Sequence, residues 1–134
     1  MQLDEARAFF GNDRFATEAA GAVIESIDGD EAVCSMELAP VHFNAAGAVM
    51  GGAVFTLADF ALAVATNHQG THSVSVSNTI EFIGTTRGSR LIAHARPDKV
   101  GKSLCFYTVV VEDDLGETIA RMTAVVKRLS RTLA

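Results

Sequence analysis

Tryptophan is absent from this 134-residue chain, tyrosine occurs once, and cysteine occurs only twice. Two cysteines make no disulfide framework. Cys34 and Cys105 stand inside strand-like runs, with no neighbouring cysteine or paired histidines at ligand spacing, so each reads as a free core thiol. The chain has no run of Lys or Arg, and its 11 basic residues are outnumbered by 16 acids for a formal charge of −5. With neither a basic stripe nor an aromatic stacking platform, nucleic-acid binding is excluded. The N-terminus, Met1-Gln2-Leu3-Asp4-Glu5-Ala6-Arg7, carries an acid before any base and lacks an apolar stretch with a cleavage site. It is not a secretory signal, and a cytoplasmic protein is expected. What is abundant is apolar residues, 49% of the chain, which excludes disorder. A single domain over residues 1–134 is expected. At this length it should bury roughly two-thirds of its unfolded surface, enough for a core without disulfides or a structural metal.

Turn chemistry divides the chain. Leu3 to Phe10 has helical spacing and ends at Gly11-Asn12-Asp13, which predicts a short helix acting as a flap. Gly21 to Asp28 and Glu31 to Leu38 flank Asp28-Gly29-Asp30 and predict a β-hairpin. Ala53 to Thr66, rich in Ala and Leu, follows Gly51-Gly52 and precedes Asn67-His68-Gln69-Gly70. It predicts a helix apolar nearly all round, hence enclosed by protein. A membrane span is the competing reading, but the run falls short of ~20 residues and carries Asp59 at its middle. Four strand-like runs follow: His72 to Ile83, Arg90 to Arg96, Ser103 to Glu112 and Thr118 to Leu129. In the first, Val74, Val76, Ile80 and Phe82 fall on one face and Ser73, Ser75, Ser77, Thr79 and Glu81 on the other. Short separators predict an antiparallel meander. Two strands, one buried helix and four strands make an α+β fold, a curved antiparallel sheet wrapped around the helix.

Between Asn44 and His68 the only charged residue is Asp59. A carboxylate in so apolar a helix gains partners, becomes protonated or faces a wet cavity, and its pKa is expected to rise. Seven positions before Gly51 stands Asn44, opening a small-residue loop that delivers Gly51 and Gly52 to the helix start. Such a start presents unpaired N–H groups and a partial positive charge, suited to a carbonyl oxygen becoming an oxyanion. Glycine leaves room for a thioester to approach. Gly51 and Asp59 lie about 12 Å apart along one helix. They cannot serve one carbon from one chain, so joint action requires a homodimer with two shared sites.

The stretch from His42 to Ala61 resembles the signature of hotdog-fold acyl-CoA thioesterases of the phenylacetate-pathway (PaaI-type) group, through Asn44, Gly47, Gly51-Gly52 and Leu57-Ala58-Asp59. The order of elements agrees over essentially the whole chain. The resemblance implies a hotdog fold and hydrolysis of an acyl- or aryl-coenzyme A thioester. In it Asp59 would be general base or nucleophile, Gly51 N–H would polarise the carbonyl, Asn44 would orient carbonyl or water, and Ser75 would lie near the attacking water. No metal or separate cofactor is implied; coenzyme A is part of the substrate. Its phosphates would meet Arg87, Arg90, Lys99 or Lys102, which border turns, with Gly52 also contacting the ligand. Phe55, Leu62 and the N-terminal segment are expected to wall the acyl pocket. The resemblance also implies a homodimer or homotetramer.

One departure stands out. The family's usual histidine before the two glycines is Met50 here, which neither donates nor accepts usefully. This keeps open a non-catalytic acyl-CoA binding module. A hotdog dehydratase acting on hydroxyacyl thioesters is a further alternative, but it needs a catalytic histidine, and His42 lies 17 residues before Asp59. His42, His68, His72 and His94 read as structural or exposed.

Overall fold

The computed structural model describes residues 1–132. The elements run α1 (Leu3–Phe10), β1 (Ala22–Asp28), β2 (Glu31–Glu37), α2 (Gly51–Asn67), β3 (Thr71–Phe82), β4 (Arg90–Val100), β5 (Leu104–Asp113) and β6 (Thr118–Thr132). A π-helical turn at Phe15–Ala19 follows α1, and a 3₁₀ turn at Pro40–His42 leads to the loop before α2. All six strands form one antiparallel sheet in the order β1-β2-β4-β5-β6-β3. α2 packs against every one of them. A helix about 10 Å across reaches six strands spaced ~4.8 Å apart only if the sheet curls around it. The expected hotdog architecture is therefore present.

The core lies between this helix and the concave face. Leu57, Ala58, Ala61, Leu62 and Val64 of α2 are buried, and meet Met36, Leu91, Val109, Val111 and Met122 from the strands. Each such large side chain contributes roughly 1.5–3 kcal/mol by leaving water. The alanines let the sheet approach closely. Cys34 and Cys105 are buried and free, and burial pushes the Cys34 thiol up to about 12. α1 is pinned to the sheet by Arg7, whose Nε and Nη2 donate to the Ile24 carbonyl at 2.9 and 2.8 Å. Phe10 of α1 meets Phe60 of α2 edge-on. No helix among the described residues is long and apolar enough to cross a membrane.

Three expectations are corrected. The last four strands are not one meander: β4, β5 and β6 are, but β3 crosses over to pair with β6 at the far edge, leaving β4 beside β2. The predicted single apolar face of β3 is broken at Val76. Ser75 pairs with Val126 and Ser77 with Val125, so Val76 is an extra residue that reverses the alternation. Ser73 consequently faces inward, while Val74 and Val76 are exposed and Ile80 packs on the core. β4 also continues past Pro97 to Val100. Its pairing with β2 ends at Ala95, so the missing Pro97 N–H faces no neighbouring strand, and a bulge at Asp98 absorbs the irregularity.

Candidate active site

Helix α2 is apolar on every side, yet one stripe is uncovered within the chain. Gly52 and Asp59 are exposed, and Phe55, Thr56 and Ala63 between and beyond them are only half-buried. These positions recur every three or four residues and so share one face. Asp59 projects from that face into a crevice of about 450 Å³ walled by Asp13, Phe15, Phe55, Phe60 and Ala63. Crowding by these walls raises its carboxyl above the usual range, and the Asp13 carboxylate adds a smaller push in the same direction. Desolvation raises Asp13 as well. Arg14 also borders the crevice, but it pairs with Glu18 at 3.0 Å, out in solvent. The N-terminal segment lines this crevice, as expected, and so does Phe55. Leu62 does not: it points into the core, 1% exposed.

The start of α2 has no side-chain cap; Met50, in extended geometry, precedes it. The N–H groups of Ala53 and Val54 both donate to the Met50 carbonyl, at 3.0 and 3.3 Å. Those of Gly51 and Gly52 have no partner among the described residues, which leaves two donors at the positive end of a 17-residue helix. Gly51 lines a second cavity of about 450 Å³ with Phe43, Val49, Phe82 and Thr86. Asp59 is not in it. The sequence-derived separation of the two groups thus holds, and one chain presents them to different cavities.

Asn44 shapes the loop that leads there. Its Oδ1 accepts from the N–H groups of Ala46 and Ala48, both at 3.0 Å, and Gly47 takes the positive φ of 83° that the reversal needs. Ser75 sits on the exposed stretch of edge strand β3 and lines neither cavity. Gly52 borders an apolar chamber with Met50 and Ala53. Arg90 lies between Glu25 and Glu37, at 3.8 and 3.9 Å, so its charge is already compensated. Lys99 is exposed at the bulged end of β4. Lys102 borders a cavity of about 620 Å³ together with Lys127 and Arg128. Arg87 is exposed, its backbone N–H held by Asp113.

His42, His68 and His94 are structural or surface groups. His42 is buried, its Nδ1 accepting from Ala39 N–H at 2.9 Å and its Nε2 donating to the Ala20 carbonyl at 2.6 Å. With both nitrogens engaged it has none left for the acid–base step of a dehydratase. His68 is buried against the Gly29 carbonyl, and His94 pairs with Glu31.

Sequence reasoning missed Asp13, Phe15, Lys127, Arg128 and Asp113. Lys127-Arg128 is a visible doublet, but only the fold brings it beside Lys102. Asp113 looked like ordinary turn chemistry. Its Oδ2 accepts from Arg87 and Gly88 N–H and its Oδ1 from Leu115 and Glu117 N–H, at 2.9–3.0 Å, which holds the carboxyl down at about 2. It ties the β3–β4 crossover, whose residues Gly84 to Thr86 wall the Gly51 cavity, to the β5–β6 turn.

Residues 46–120 match the thioesterase superfamily. The acyl-coenzyme A thioesterase PaaI of Escherichia coli is 32% identical over 129 residues, covering 96% of this chain and 91% of that protein. A putative esterase of Archaeoglobus fulgidus is 27% identical over 122 residues, covering 90% of this chain and 79% of the relative. The solved structure of E. coli PaaI, from the phenylacetic acid degradation operon, superposes with a TM-score of 0.85 at 26% identity, covering 99% of this chain and 100% of that one. The chain belongs to the thioesterase superfamily and is an enzyme of thioester hydrolysis, built on the hotdog fold.

Proposed function

We propose that this protein hydrolyses an acyl- or aryl-coenzyme A thioester to the free acid and coenzyme A, in sites shared between two copies of the chain. The observation that carries the reading is Asp59, the one charged side chain on α2, projecting into a crevice that raises its pKa. A base with a raised pKa holds a proton more readily, which suits it to take one from water at neutral pH. Water attacks the thioester carbon, its proton passes to Asp59, and the carbonyl electrons move onto oxygen. The Gly51 N–H and the helix dipole of a partner copy stabilise that oxyanion. Collapse breaks the C–S bond, and the proton on Asp59 goes to the departing sulfur. Direct attack by the Asp59 carboxylate, giving an anhydride that water then opens, uses the same atoms.

The partner copy is required because Gly51 and Asp59 of one chain face different cavities. Edge strand β3 supports the pairing. It is 12 residues long, carries exposed Val74 and Val76, and has one side of its ladder unpaired. Such an edge is rarely left open in solution. Pairing of dimers into a tetramer fits the same reading. Asn44 keeps the loop beside the carbonyl in shape, and Ser75 meets the attacking water across the dimer seam. For the phosphates of coenzyme A the candidates are Lys102, which clusters with Lys127 and Arg128, Lys99 on β4, and Arg87, which follows the segment walling the Gly51 cavity, with Gly52 against the ligand. Arg90 is occupied by its two glutamates. Localisation in the cytoplasm accords with a coenzyme A substrate.

A thiol-release screen over aryl, short, medium and long acyl-CoA esters tests the reading. Turnover of at least one class, lost on Asp59→Asn, is expected. Tight binding of every ester without thiol release would instead make the protein a non-catalytic binding module.

A further inference from the structure

Resting on Asp59 as the hydrolytic centre, we propose that Phe15 sets the length of acyl chain this enzyme accepts, by standing as a partition between the Asp59 crevice and an apolar chamber beside it. The chamber is about 380 Å³, walled by Ala19, Ala20, Val41, Met50 and Ala53. Phe15 and Thr56 are the residues that line both spaces. Thr56 is a fixed part of the wall, its hydroxyl donating to the Gly52 carbonyl at 2.8 Å. Phe15 is the removable part. It is 73% exposed, stands outside the core, and begins a π-helical turn, a geometry that recurs at functional positions.

The two spaces follow one another along the open stripe of α2. Ala53 and Asp59 are about 9 Å apart on the helix axis. An acyl tail that starts at Asp59 and reaches Met50 must pass the Phe15 ring. The chamber beyond offers no charged side chain and is preformed, because His42 clamps Ala20 and Ala39 through its two ring nitrogens. It therefore suits an unsubstituted alkyl chain. With Phe15 in place, compact acyl groups fill the Asp59 crevice alone. Without it, a straight chain extends into the chamber.

The test measures kcat/KM for straight-chain acyl-CoA esters from acetyl to palmitoyl with wild type, Phe15→Ala and Phe15→Trp, after their Tm values show that all three are folded. Relative to acetyl-CoA, Phe15→Ala should raise kcat/KM for longer esters by roughly fourfold per methylene newly admitted. Phe15→Trp should shorten the accepted range. In parallel, S-alkyl-coenzyme A thioethers of matching lengths are titrated calorimetrically into the Asp59→Asn forms, and their length preference should move in the same direction. Hydrolysis by wild type with an unchanged length profile in Phe15→Ala would overturn the partition and leave Asp59 in place. A shifted thioether preference in a protein that releases no thiol would uphold the partition and overturn the hydrolytic reading. No thiol release and no thioether binding at all would overturn both.

Discussion

Gly51 offers a way to delete one hydrogen-bond donor, with a proline ring carbon taking the place of its hydrogen. Gly51→Pro removes the N–H proposed to hold the oxyanion. Gly51 is the first helical residue, a position where proline is favoured, because its N–H has no helical partner to lose. Met50 has φ −64° and ψ 134°, the extended geometry a residue before proline requires. The added Cβ meets the Phe82 ring at 3.2 Å, but that side chain is 57% exposed and free to yield a few tenths of an ångström. Stability should therefore hold or rise by about 0.4–1 kcal/mol, through a stiffer unfolded chain. Loss of one oxyanion donor costs about 2.7–4 kcal/mol in the transition state, so kcat should fall by roughly 10² to 10³. Gly51→Ala keeps the donor and adds the same Cβ, so its activity measures the crowding that the Cβ causes. The assay is thiol release with an aromatic disulfide reagent, beside thermal denaturation of both variants. A folded Gly51→Pro enzyme with wild-type kcat would refute the role given to this N–H.

Asp13→Asn removes the like charge beside Asp59, so the Asp59 pKa falls, although desolvation, its larger cause, remains. The base must be ionised, hence activity declines as pH drops through its pKa. The acid limb of the kcat/KM profile should move to lower pH in the variant, and an unmoved limb would remove Asp13 from the site. Asp113, held down at about 2, stabilises the fold at pH values above the usual carboxylate range, and that contribution is lost as pH falls through about 2. Asp113→Asn should therefore lower Tm clearly at pH 7 and much less near pH 2. Equal losses at both pH values would mean its carboxylate charge is not what matters.

Much of this was legible from local pattern. The α2 helix is bounded by Gly51-Gly52 and by the Asn and Gly that follow it, and the Asp28-Gly29-Asp30 turn joins two alternating runs; both signals are short-range. Asp59 stood out because a lone charge in an apolar helix conflicts with its surroundings, and such conflicts gather at working sites. What was hidden is non-local. A seven-residue link between β3 and β4 fits a hairpin as well as a crossover, and only the sheet as a whole decides for β6. A one-residue bulge at Val76 leaves no mark in the alternation, because Ser75 and Ser77 flank it and continue the Ser-Val pattern that begins at Ser73. Pro97 looked like a strand end, since nothing local shows that β2 has already stopped. Asp13 and Phe15 carry no signal of their own. They matter because Arg7 and Phe10 hold α1 down, which places the segment after it over Asp59.

The claim that one site draws Asp59 and Gly51 from two chains is tested most directly by mixing two dead variants. Asp59→Asn and Gly51→Pro are each purified, unfolded, combined in equal amounts and refolded together. If the site is shared, about half of the dimers are hybrids, each holding one intact site and one doubly defective one, and about a quarter of wild-type thiol release returns. If both groups served the same substrate from one chain, every hybrid site would carry one defect, and the mixture would stay as inactive as its two components.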